Sequence, residues 1–197
     1  HRTSLPQFPR PRYRYCQQLW QKYIGGNSLD QLDRWLSRAM REYRQFGKRD
    51  RRAYGDSLFA LARYSGAAIV LEYAYNTKSS IHDVESIWKK IWPQTERDWI
   101  HSLRAIDFPH LFAWTALCAG TQAVPDEQAA RRRQWFATHA DHFKHAPPNL
   151  IIAGIPPFLA DAFCTRVQLS GWEEKQTAHF LSSIHPRPPL WLRFVTK

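Results

Sequence analysis

Residues 48–64 read Lys-Arg-Asp-Arg-Arg-Ala-Tyr-Gly-Asp-Ser-Leu-Phe-Ala-Leu-Ala-Arg-Tyr. Charged side chains fill the first five positions. The residues that follow place Tyr54, Leu58, Leu61, Ala62, Ser65, Ala68 and Ile69 at the three-and-four spacing of one helical face. The stretch predicts a core helix with a basic start, around which the other elements pack. Asp50 stands where a carboxylate can accept first-turn amide hydrogens and sit well against the helix dipole, so it is expected to cap the helix. Gly55 and Gly66 each cost roughly 1 kcal/mol against Ala inside a helix. They are expected to mark close crossings by neighbouring helices.

Upstream, Pro6, Pro9 and Pro11 lie among arginines, which predicts an extended basic arm over residues 1–12. Cys16, Leu19, Trp20, Tyr23 and Ile24 form the stripe of a first helix that stops at Gly25-Gly26-Asn27. Ser28-Leu29-Asp30-Gln31 reads as a capping box for a second helix running to about Gly47, whose outer face carries Arg34, Arg38 and Arg41. A short turn then hands the chain to Lys48. The cations ending one helix and starting the next are expected to converge.

Downstream of Asn76 come shorter helices punctuated by Ser80, Pro93, Thr95, Pro109, Gly120 and Pro125. His139, His142 and His145 share a spacing of three in what reads as one helix, but that spacing lets one metal take at most two of them, and no metal site is expected. Residues 146–157 are bounded by proline pairs and predict a boundary; Pro156 and Pro157 suit the first turn of a helix through Leu169, with Gly171 as its stop, and another helix is expected from Trp172 to Ile184. Pro186, Pro188 and Pro189 then exclude a helix, so Leu190–Val195 is expected to be extended and to pack on those helices or pair with another chain. No stretch alternates with period two for long. The predicted fold class is all-α: a helical bundle over 13–146, two linker helices over 147–185, and one extended segment over 186–197.

The chain carries 28 Lys and Arg against 17 Asp and Glu, a net +11, and residues 1–63 hold 14 of the cations with only five carboxylates. A positive field concentrated in one third of the chain points to a polyanionic partner. Cations in such number cannot be buried unpaired. The expected RNA-contacting residues are Arg12, Arg14, Arg34, Arg38, Arg41, Lys48, Arg49, Arg51 and Arg52. The nine Trp residues fall mostly on apolar stripes and are assigned to the core. Three isolated cysteines and the lack of a long apolar run predict reduced thiols, no membrane partner and a cytoplasmic location. None of the familiar nucleotide-binding, metalloprotease or serine-hydrolase motifs occurs. No catalytic, cofactor-binding or metal residue is assigned.

Two stretches resemble one family. Leu32–Leu36 with Asp50–Arg63 resembles the N-terminal helical domain of the Sun family of RNA (cytosine-5) methyltransferases, a domain similar to the antitermination factor NusB. Pro157-Phe158-Leu159, Gly171 and Arg187-Pro188-Pro189-Leu190-Trp191-Leu192-Arg193 look like that family's linker, although Phe158 stands where Trp is usual and Phe194-Val195 replaces Val-Asn. The resemblance implies a NusB-like bundle leading into a truncated RNA-recognition-like subdomain. It implies a non-catalytic RNA-binding module whose parent enzyme uses S-adenosylmethionine, with rRNA ahead of tRNA as partner and the catalytic domain of the same polypeptide as a second. This chain itself is expected to bind no cofactor. The alternative is an α-helical protein-interaction domain using its basic face on an acidic partner. Dimerisation through the C-terminal segment is a further expectation.

Overall fold

A computed structural model describes residues 10–26, 31–121, 127–144 and 148–183. Among these the fold is all-α. The helices in order are α1 (Arg10–Ile24), α2 (Leu32–Glu42), α3 (Lys48–Asn76), α4 (Val84–Ile91), α5 (Glu96–Ala105), α6 (Phe108–Cys118), α7 (Glu127–Thr138), α8 (Pro148–Ile152), α9 (Pro157–Leu169) and α10 (Glu174–Ser183). No helix among the described residues is long and apolar enough to cross a membrane.

The 29 residues of α3 span about 43 Å and form the axis of the molecule. Every residue from Tyr64 to Glu72 is buried, so this part of the helix is enclosed on all sides. It packs against α1, α2, α4, α5, α6 and α8, while α7 stacks on α6. Gly66 shows how tight the enclosure is. A Cβ built there would lie 2.2 Å from Cη2 of Trp92, so the indole occupies the space a side chain would need. Gly55 differs, because its hypothetical Cβ would meet the Leu36 methyl at an ordinary 3.7 Å. Of the two glycines expected at close crossings, Gly66 alone is crowded, and by an indole instead of a helix backbone.

Local chemistry accounts for several boundaries. Thr95 and Asp98 form a reciprocal capping box at the start of α5. Ser80 accepts the His82 amide ahead of α4, and Pro109 sits in the first turn of α6, where a missing N–H costs nothing. Gly171 ends the α9 segment in the left-handed region, at φ 61°.

Other expectations need correction. Arg10–Arg12 belong to α1, not to an extended arm, because Pro11 falls in a first turn that tolerates proline. The second helix stops at Glu42, leaving Tyr43–Gly47 as a connection. Gln31 precedes α2 without a side-chain cap, and Asn27–Asp30 lie outside the described residues. His139 and His142 do not share a helix: α7 ends at Thr138 and His142 lies in a 3-10 turn, while His145 lies outside the described residues. The final helix begins at Glu174, two residues later than Trp172. The proline-bounded stretch 146–157 contains α8, whose Leu150 and Ile151 are fully buried in the core. The expected extended segment Leu190–Val195 lies outside the described residues.

Candidate nucleic-acid interface

Three elements meet where α3 begins. Gly47 precedes the helix in an extended conformation and supplies no side-chain cap, so the first-turn amides are left open. Asp50 does not cap them. Its Oδ1 accepts a hydrogen bond from Arg12 Nε at 2.9 Å, which ties the start of α1 to the first turn of α3. Both side chains are about one-third exposed, so the pair contributes at most about 1 kcal/mol. Its effect is positional.

Arg51 is also occupied. Its Nε donates to the Phe46 carbonyl at 2.9 Å and its Nη2 reaches the Tyr43 carbonyl at 3.5 Å, so the guanidinium holds the connection between α2 and α3. Arg52 makes only a loose pair with Asp56, at 3.7 Å on the same helix. Arg14, Arg34, Arg41, Lys48 and Arg49 are exposed and meet no carboxylate among the described residues. Arg44, which the sequence reading omitted, stands exposed in the same connection. Arg38 is exposed on the outer face of α2 with Arg34 and Arg41. Of the nine expected residues, then, Arg12 and Arg51 tie separate segments of the chain together and Arg52 pairs loosely with Asp56, while Arg14, Arg34, Arg38, Arg41, Lys48 and Arg49 stand exposed on α1, α2 and the start of α3.

Beneath these cations lies an aromatic cluster. The Tyr43 and Phe46 rings stack in parallel, with centroids 4.9 Å apart and an interplanar angle of 2°. Tyr15 approaches both edge-on, and Tyr54 closes the floor 4.7 Å from Phe46. Burial raises the Tyr54 phenol above its ordinary value, with the Asp50 charge adding to it, so it stays neutral.

A second polar assembly sits deep between α3, α6 and α7. Glu72 accepts two hydrogen bonds from Arg132, Nε to Oε2 at 2.8 Å and Nη2 to Oε1 at 2.7 Å, and one from Trp114 Nε1 at 2.7 Å. Asn76 Nδ2 donates to Oε1 at 3.1 Å, and His110 Nδ1 stands 3.1 Å from the same oxygen. The Arg132 guanidinium also lies 4.8 Å from the Tyr75 ring centroid. Burial pushes the Glu72 carboxyl up, but the hydrogen bonds from Arg132 and Trp114, aided by the Arg132 charge, outweigh it and hold the group below the usual carboxylate range.

A cleft of about 470 Å³ opens beside this network, lined by Tyr73, Asn76, His101, Ser102 and His110 among others. Four donors, with the His110 ring beside them, already crowd the Glu72 oxygens, so the carboxylate is a structural anion and not a free base. Among the described residues no group of three or more His, Cys, Asp or Glu is placed to hold a metal ion. Cys16 is fully buried, and desolvation raises its thiol to about 12, which makes it a packing residue and not a nucleophile. The sequence reading missed the Glu72 network. Its signal was a lone carboxylate on the buried face of the central helix, which requires a buried cation elsewhere in the chain.

No family model, curated protein or solved structure matches this chain.

Proposed function

We propose that this chain is an RNA-binding module that uses the face formed by the start of α1, the outer side of α2 and the first turn of α3. The observation that carries this reading is the group of exposed, carboxylate-free cations around an uncapped helix start, namely Arg14, Arg34, Arg41, Arg44, Lys48 and Arg49. A phosphate there gains from side-chain charge, open amides and the helix dipole together. The resemblance to the Sun family supports RNA over other polyanions. On that resemblance the module positions substrate, rRNA ahead of tRNA, for a cytoplasmic (cytosine-5) methyltransferase whose S-adenosylmethionine belongs to the catalytic domain of the same polypeptide.

The test is the double variant Arg49→Glu, Arg52→Glu. Its affinity for labelled structured RNA should collapse while thermal unfolding stays within a few degrees of wild type, since both side chains are exposed. Wild-type affinity should also fall by orders of magnitude between low and moderate salt. Normal RNA binding by the double variant would sink the reading.

A protein-interaction role has one observation in its favour. Phe158, Leu159, Leu169 and Phe180 leave apolar surface exposed on α9 and α10. Complexes formed through that surface would be largely indifferent to salt, which separates the two readings.

A further inference from the structure

We propose that Tyr43 is a stacking platform for an unpaired nucleobase, so that the basic face takes single-stranded RNA in preference to duplex. The inference rests on the RNA-binding reading and names the form of RNA that this face selects. Base-stacking platforms need a ring that is held still, offers a π face, and lies among cations that can take the flanking phosphates. Tyr43 is held by its ring neighbours, is part-exposed, and lies in a run of exposed cations.

Phe46 backs one face of the Tyr43 ring in a nearly parallel stack, 2° apart in plane. Tyr15 stands at its edge with centroids 6.4 Å apart and an interplanar angle of 77°. These are its ring partners among the described residues. Phe46 and Tyr54 are 6% and 2% exposed, whereas Tyr43 and Tyr15 are only part-buried, so the outermost rings of the cluster are the two tyrosines. The connection that carries Tyr43 is braced from below, because Arg51 donates to the carbonyls of both Phe46 and Tyr43. A base stacking on Tyr43 therefore meets a surface whose ordering cost was met on folding.

The rim fits as well. Arg41 and Arg44 flank Tyr43 within two residues, and Lys48 and Arg49 follow across the braced connection, all exposed. A strand laid over this rim places phosphates against the cations and one base over the ring. In a duplex the bases are already stacked on each other and the backbone alone is offered, so duplex RNA gains from the cations but not from Tyr43.

The experiment compares Tyr43→Leu and Tyr43→Trp in the full chain, titrated against a short unstructured RNA and a duplex of equal length. Leu keeps an apolar contact with Phe46 but removes the π face, and circular dichroism melts confirm that each variant is folded. The expected result is a loss of about tenfold or more for the single strand with Leu, none for the duplex, and wild-type or tighter binding with Trp. The salt slope should stay unchanged in both, because the phosphate contacts remain. Unchanged single-strand affinity in Tyr43→Leu, or an equal loss on the duplex, overturns the inference. If the Arg49→Glu, Arg52→Glu variant still loses RNA in that case, the RNA-binding reading stands without it. Failure of the wild type to bind either RNA overturns both.

Discussion

At the scale of single residues, the two glycines of α3 make opposite predictions. Gly66→Ala forces its Cβ into the Trp92 indole and should destabilise by about 1–3 kcal/mol, the usual range for overpacking. Gly55→Ala adds a methyl at ordinary contact distance from Leu36 and should stabilise by up to about 1 kcal/mol through helix propensity alone. Urea denaturation of the two variants checks this, and a shift of the same sign in both would refute it. Glu72 supplies the other residue-scale prediction. Glu72→Gln leaves the Arg132 guanidinium buried, at 2% side-chain exposure, without its counter-charge and should cost about 3–5 kcal/mol. The folded-state pKa of Glu72 lies below its ordinary 4.5, so its contribution is fully present above that pH and lost as pH falls through the folded value. Wild type should therefore melt at lower temperature as the pH drops below about 4.5, and Glu72→Gln should show a shallower acid slope from a lower starting stability.

At the scale of elements, the informative piece is the connection Tyr43–Gly47. The apolar spacing continues through Tyr43 and predicts a second helix nearly to Gly47, because spacing alone cannot tell a last helical turn from a braced loop. What ends the helix is tertiary: Arg51, from the next helix, takes up the Tyr43 and Phe46 carbonyls. Arg51→Lys keeps the charge but loses the planar fork that reaches both oxygens. Amide exchange across Tyr43–Gly47 should accelerate in that variant while exchange in the buried middle of α3 remains slow. An unchanged exchange pattern would show that the aromatic stack holds the connection without Arg51. The same exchange of expected for observed partners occurs at Asp50. Its place in the first turn suits a cap, but Arg12 of α1 stands at hydrogen-bond distance, and a charged donor competes well with the helix's own amides.

At the scale of the whole molecule, charge and core divide the chain differently. The cations concentrate in residues 1–63, yet the core is continuous from Cys16 in α1 to Leu181 in α10, with α3 running through it. Binding should therefore be strongly salt-dependent and unfolding much less so, because the stabilising surface is apolar. The helical class and most helix positions were legible from the sequence by itself, since the 3.6-residue spacing of apolar side chains and the capping residues Ser80, Thr95, Pro109 and Gly171 act within one or two turns. The wealth of cations was equally legible, because charge is a property of composition. Which cations are available was not. Arg131, Arg132 and Arg133 are neighbours in sequence, but Arg131 pairs with Glu127 on the surface, Arg132 is buried on Glu72, and Arg133 is exposed. The direction in which α7 faces α3 makes that choice, and it arises from the packing of helices some 60 residues apart. For the same reason Arg12 and Arg51, which sequence alone assigns to RNA contact, are bound within the fold. Local spacing determined the elements and the sign of the charge, and only tertiary packing decided which charges the protein spends on itself and which it offers outward.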